Sequence, residues 1–223
     1  MQLPWQQIDC VLLDMDGTLL DLNFDNHFWQ EHVPLRYAEA RALSLAEARA
    51  ELKSRYHERA ATLAWYSVDF WQTELDLDIM RLKEEVAHLI AVHPHVVDFL
   101  AALRGAGKQI VLVTNAHGKS LALKMQRTGL TGHFDALISA HELGLPKEEP
   151  AFWDLLRARI PFDPARTLLC DDNVSVLDSA RRYGIAQLVA VTRPDTTRPH
   201  NLPEPYPGIV DFGELLPGLR RTG

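Results

Sequence analysis

Cysteine is scarce in this 223-residue chain: Cys10 and Cys170 are its two, and both fall inside strand-like apolar runs. That excludes a disulfide framework and leaves small buried thiols as the expected role of both. No apolar segment approaches the roughly 18 residues needed to cross a bilayer. The N-terminal stretch Met1-Gln2-Leu3-Pro4-Trp5-Gln6 lacks the charged and apolar regions of a secretion signal, so a cytoplasmic protein without a membrane partner is expected. Positive charge is also short. Lys and Arg number 23 against 30 Asp and Glu, and the formal net charge of -7 argues against a nucleic-acid partner. An anionic substrate would need a local cation. No internal repeat occurs, and the ten histidines include no His-Glu-x-x-His spacing, so no zinc is expected and His93-Pro94-His95 reads as a hinge. Gly105-Ala106-Gly107-Lys108 is not a phosphate loop, because Ala102 stands where that loop needs glycine and a strand follows where a helix should.

What the chain does contain is a hydrophobic content of 47%, ordinary for a folded domain. Apolar strand-like runs recur at residues 8–13, 109–114, 136–139, 167–170 and 187–191. Helical patterns at 95–104, 119–128, 150–160 and 174–183 alternate with the later runs, each closed by a Gly or Pro breaker. This alternation predicts an α/β fold, a doubly wound parallel sheet with helices on both faces. Residues 22–92 break the rhythm: they are helical throughout and far longer than an ordinary βα connection. They are expected to form an inserted helical domain over the carboxyl edge of the sheet, with 1–21 and 93–223 as the α/β core. The Pro-rich stretch 193–208 reads as coil before a last short element at 209–216.

The chemistry is concentrated where strands end. Asp14-Met15-Asp16-Gly17-Thr18 follows the first apolar run directly. A parallel sheet binds ligands outside the carboxyl ends of its strands. Two carboxylates two residues apart, followed by a glycine turn with free N–H groups, can hold a hard cation beside a phosphoryl group. Thr114-Asn115 closes the second run, Lys147 follows the third, and Asp171-Asp172 closes the fourth. Taken singly these would be a helix cap, a solvated lysine and a turn. Together they converge on one edge.

In this order the four groups resemble the motifs of the haloacid dehalogenase superfamily of phosphotransferases, and the helical insertion is similar to that superfamily's C1-type cap. The resemblance implies that Asp14 is a nucleophile forming an aspartyl-phosphate and that Asp16 is the general acid and base. It implies Mg²⁺ held by Asp14, the backbone carbonyl of Asp16 and Asp172, with Thr114 and Lys147 binding phosphoryl oxygens and Asp171 orienting Lys147 or a metal-bound water. One departure stands out: Val176 occupies a place where many members carry an acid or Asn, which leaves the part of Asp178 open. Asp16 favours phosphatase or phosphomutase over dehalogenase, because a departing halide needs no proton. A phospho-receiver module also clusters Asp, Thr and Lys at strand ends, but there the acidic pair comes first and the phosphoacceptor later, the reverse of the order seen here.

Substrate choice falls to the insertion, rich in aromatics: Phe24, Phe28, Trp29, Tyr37, Tyr56, Trp65, Tyr66, Phe70 and Trp71. Helical spacing such as Tyr66 to Phe70 usually means core packing, yet a few rings facing a cleft suffice to stack a purine. Phe24-Asp25-Asn26, Phe28-Trp29, Tyr56-His57, Thr62-Leu63, Trp65-Tyr66 and Pro146-Lys147-Glu148 are similar to the bacterial purine nucleotidases of the superfamily. That likeness implies hydrolysis of GMP and IMP, a purine nucleoside monophosphate as small-molecule partner, and base contacts from Asn26, Trp29, Trp65 and Tyr66, with Asn115 beside the phosphate. A sugar-phosphate phosphatase or mutase would share the sheet site and differ in the cap.

Overall fold

The computed structural model describes residues 1–200 and 205–219. Its centre is one fully parallel sheet of β1 (Cys10–Leu13), β2 (Gln109–Thr114), β3 (Ala136–Ser139), β4 (Thr167–Asp171), β5 (Gln187–Val191) and β6 (Gly208–Ile209), in the spatial order β3-β2-β1-β4-β5-β6. The first five strands lie on the five apolar runs. β6 falls where only coil and a short last element are expected: its two residues, pairing beside Ala190 and Val191, are too few to form a readable apolar run.

Between β1 and β2 the chain is helical: α1 (Asn23–His27), a π-helical turn (Phe28–His32), α2 (Val33–Arg41), α3 (Leu45–Arg59), α4 (Leu63–Tyr66), α5 (Val68–Leu75) and α6 (Ile79–Glu85). The π turn has a local cause. Pro34 has no N–H and its ring would crowd the carbonyl of Gln30, so the backbone widens by one residue and Val33 N–H bonds to Phe28 O. α3 starts on a capping box, in which Ser44 accepts from Glu47 N–H and the Glu47 carboxylate accepts from Ser44 N–H. These helices bury their own cluster, including Phe24, Phe28, Tyr37, Leu52, Trp71 and Leu75. The segments leading in and out run antiparallel side by side, with Asp21 N–H donating to Ala91 O (2.9 Å) and His93 N–H to Leu19 O (2.9 Å).

The remaining helices, α7 (Val96–Gly105), α8 (Gly118–Thr128), α9 (Ala140–Leu143), α10 (Pro150–Arg159), α11 (Val174–Tyr183) and α12 (Leu216–Leu219), cover the sheet. Side chains alternate along each central strand, so each strand feeds two cores. Val11, Leu13, Ile110, Leu112 and Leu168 pack with Phe99 and Leu103 of α7 and with Phe212; Leu12, Val111, Val113 and Leu169 pack with Phe152, Trp153 and Leu177 of α10 and α11. Cys10 and Cys170 are free and buried within these layers. Lys108, the lysine of the false phosphate loop, is spent on the Trp5 and Ile8 carbonyls at 2.7 Å each.

Candidate active site

The chain runs from β1 outward through β2 to β3, then from β4 outward through β5 to β6, so the winding direction reverses between β1 and β4. Ligands of open α/β sheets bind in the crevice outside such a reversal. Asp14 stands there, its N–H bonded to Cys170 O at 3.0 Å, level with Asp171 at the end of β4. Lys147 reaches the same point from the loop after α9. Its ammonium donates to the Asp14 carboxylate, to Asp171 Oδ2 (2.7 Å) and to Val113 O (3.1 Å). Asn115 pins that loop: its Oδ1 accepts from Lys147 N–H (2.9 Å) and its Nδ2 donates to Glu148 Oε2 (2.8 Å). Thr114 is buried beside them, its Oγ1 accepting from Ala116 N–H at 3.0 Å.

One carboxylate oxygen each from Asp14, Asp171 and Asp172 lies within 4.8 Å of the other two, a donor set suited to a hard divalent cation. Burial pushes the Asp14 carboxyl up to about 6 against the pull of Lys147. Burial, reinforced by repulsion from Asp14 and Asp171, drives Asp172 well above the carboxylate range. A bound cation would relieve both effects. Gly17 makes the cluster possible. Its φ is +86°, and a Cβ there would lie 2.6 Å from Asp172 Oδ2, so a side chain would displace the carboxylate.

The Asp16 carboxylate lies outside that triad. It accepts from Lys124 Nζ at 2.6 Å, and the same ammonium donates to Asp25 Oδ2 at 2.6 Å, joining α8, the β1 loop and α1. Burial raises Asp16 to about 6, with Lys124 opposing. Further contacts hold the helical insertion to this edge: Tyr66 OH donates to Glu148 Oε1 (3.3 Å) and Asn26 Nδ2 to Asp195 Oδ2 (2.7 Å). Between insertion and sheet lies a cavity of about 380 Å³, lined by Asp14, Asp16, Asn26, Trp29, Trp65, Tyr66, Thr114, Asn115, Lys147, Asp171 and Asp172 together. Every residue that the sequence nominates for the site therefore faces one space. Trp29 and Trp65 also pack on each other, with ring centres 5.9 Å apart. The cavity wall further includes Asp25, Gln30, Tyr56, Lys83, Ser120, Asn173 and Val176, to which the sequence reading assigns no site role. Tyr56 had a signal, being aromatic and part of a noted dipeptide. Lys83 and Lys124 had none, since a helical lysine is ordinarily solvated.

A family model described as haloacid dehalogenase-like hydrolase matches residues 8–184. The chain belongs to the haloacid dehalogenase-like hydrolases. It is 39% identical over 219 residues, 98% of this chain and 99% of the relative, to the GMP/IMP nucleotidase YrfG of Escherichia coli K12. It is 23% identical over 197 residues, 79% of this chain and 82% of the relative, to (S)-2-haloacid dehalogenase 1 of a Pseudomonas species. Among solved structures, the HAD phosphatase from Thermococcus onnurineus superposes with a TM-score of 0.77 at 25% identity, covering 93% of this chain and 96% of that one. Membership in this hydrolase family makes the protein an enzyme. Within the family frame Val176 is buried against the cavity, while Asp178 is turned elsewhere, accepting from Tyr206 OH at 2.5 Å. Among the described residues no helix is long and apolar enough to cross a membrane.

Proposed function

We propose that this enzyme is a Mg²⁺-dependent phosphomonoesterase that acts through an aspartyl-phosphate and hydrolyses the purine nucleotides GMP and IMP. The observation that carries the reading is the division of labour between the two aspartates of the β1 loop. Asp14 sits with Lys147, Asp171 and Asp172, whereas Asp16 turns away to Lys124 at 2.6 Å. Asp14 attacks phosphorus, and the bond to the nucleoside oxygen breaks as Asp16 delivers its proton. Water then attacks the aspartyl-phosphate with Asp16 taking the proton back, which releases phosphate and restores Asp14. A carboxyl held near 6 can serve in both directions close to neutrality. Lys147 and Thr114 hold the phosphoryl oxygens, and Asp171 keeps the Lys147 ammonium in place. A Mg²⁺ ion held by Asp14, Asp172 and the Asp16 backbone carbonyl would neutralise the charge that carboxylates and phosphate bring together.

Residues 22–92, acting as the C1-type cap, would then select the ester. The 39% identity to a GMP/IMP nucleotidase over nearly the full chain supports a purine, and the cavity is of a size that suits a small ligand. A phosphate-release screen in Mg²⁺ should give kcat/KM for GMP and IMP about tenfold or more above that for sugar phosphates, roughly 1.4 kcal/mol. A sugar phosphate heading the series would replace the nucleotidase reading by that of a sugar-phosphate phosphatase or mutase.

Stacking on the cavity rings contributes roughly 1–3 kcal/mol per base. Alanine at the stacking residue among Trp29, Trp65 and Tyr66 should therefore lower kcat/KM for GMP by about tenfold. Cleavage of p-nitrophenyl phosphate should fall much less, since that ester has no purine to stack. Equal losses on both substrates for all three variants would show rings that serve packing alone.

A further inference from the structure

We infer that Lys83 forms a subsite for the 6-oxo edge of a purine base, donating to O6 and N7, and thereby selects hypoxanthine and guanine over adenine. The inference rests on the purine nucleotidase reading and assigns its base specificity to one side chain.

Two lysines line the cavity, and they differ in how fully they are bonded. Lys147 gives its three protons to Asp14, Asp171 and the Val113 carbonyl, the bond to Asp14 being the one that a phosphoryl oxygen would take over. Lys83, on α6, is 3% exposed, and among the described residues its one hydrogen-bond partner is Asp25 Oδ1 at 3.5 Å. Asp25 is already engaged more closely by Lys124 at 2.6 Å. The rest of the Lys83 surroundings is aromatic, with its ammonium 4.3 Å from the Phe28 ring centre, 5.1 Å from Phe24 and 5.6 Å from Trp29. Ring faces attract the charge without accepting directed hydrogen bonds, so a buried ammonium in the cavity wall keeps protons for a ligand acceptor. Among the described residues the Tyr56 hydroxyl, on the same cavity wall, is buried without a hydrogen-bond partner, and its ring packs on Trp29 at 5.7 Å. Under-bonded polar groups thus meet an aromatic wall, the chemistry of a heterocycle site.

The phosphate belongs elsewhere: among the described residues Lys83 makes no hydrogen bond to Asp14, Lys147, Asp171 or Asp172, and its bond to Asp25 leads through Lys124 to Asp16. That leaves the leaving group. Guanine and hypoxanthine present two adjacent acceptors, O6 and N7, whereas adenine presents an amino donor in place of O6. Lysine has donors only and cannot reverse its role as an amide can, so the amino group meets a donor with no acceptor to offer. Ribose hydroxyls both donate and accept and would not discriminate in this way.

The test compares kcat/KM for IMP, AMP and ribose 5-phosphate in the wild type, Lys83→Met and Lys83→Arg. Methionine keeps most of the stem and removes the charge. The expected result is that Lys83→Met lowers the IMP-to-AMP ratio and the IMP-to-ribose 5-phosphate ratio by about tenfold or more each, and that Lys83→Arg retains most of both. Should Lys83→Met fail to fold, the charge-matched double variant Lys83→Met with Asp25→Asn is read by the same ratios. Three results would overturn the subsite. If all three esters fall by one factor, Lys83 serves the shared ribose phosphate or balances Asp25; if IMP and AMP fall together against ribose 5-phosphate, it touches the base without reading its 6-position; if no kcat/KM changes, the base is read elsewhere. A wild type that cleaves ribose 5-phosphate as well as IMP overturns the nucleotidase reading itself, which separates that failure from a failure of Lys83.

Discussion

Asp14→Asn is expected to leave the fold intact and to lower kcat by about a thousandfold or more, roughly 4 kcal/mol of barrier. The amide is nearly isosteric with the carboxylate and still accepts a hydrogen bond from Lys147, so the packing around β1 is kept. What it loses is the nucleophilic oxygen: an amide cannot form the acyl phosphate that splits the reaction into two steps. The same substitution at Asp16 removes a proton carrier and leaves the nucleophile in place. The two variants should therefore differ on esters with good leaving groups. Asp16→Asn should still release p-nitrophenolate, which needs little protonation, whereas Asp14→Asn should release none beyond background. Stopped reactions with labelled phosphate should show label on the protein with wild type and Asp16→Asn and none with Asp14→Asn. An Asp14→Asn enzyme that keeps more than about a tenth of wild-type kcat would remove Asp14 from the nucleophile's place, since so small a loss is under roughly 1.4 kcal/mol.

The sheet is legible in the sequence because the stretch of a strand buried on both faces has no choice but to be apolar, as Cys10–Leu13 and residues 110–113 are. The edge that carries the chemistry is legible for a related reason. Parallel strands end together, so Asp14, Thr114 and Asp171 needed only their strands to be recognised for their meeting to follow. Lys147 is held by contacts to two of those ends. Lys124 and Lys83 were illegible. Each is a lysine in a helix, a residue type ordinarily solvated, and each makes its ion pairs with residues 58 to 108 positions away, a fact of tertiary packing alone. The π turn at Phe28–His32 was hidden as well, although Pro34 just beyond it was the clue. β6 shows the opposite limit, a pairing made by two residues that no pattern can signal.

Chelation should abolish turnover and Mg²⁺ should restore it, with Ca²⁺ inhibiting because it admits a looser coordination than the compact oxygen set favours. Gly17 offers a way to make that requirement visible in the chain itself. Alanine at this position must adopt φ near +86° and place its Cβ 2.6 Å from Asp172 Oδ2 and 3.0 Å from the Pro194 side chain. The backbone strain costs about 1–3 kcal/mol, and the carboxylate has to swing out of the Asp14–Asp171–Asp172 cluster to admit the methyl group. Gly17→Ala should therefore need about tenfold or more Mg²⁺ for half-maximal activity, a loss of roughly 1.4 kcal/mol in ion affinity. A readout independent of turnover follows from linkage. Saturating Mg²⁺ raises Tm by stabilising the folded state by RT ln(1 + [L]/Kd), so at a fixed sub-saturating concentration wild type should gain stability that Gly17→Ala does not. Two measurements decide the matter. Full activity of wild type in metal-free buffer would dismiss the ion, and an unchanged Mg²⁺ response in Gly17→Ala would dismiss the Asp172 carboxylate as its ligand.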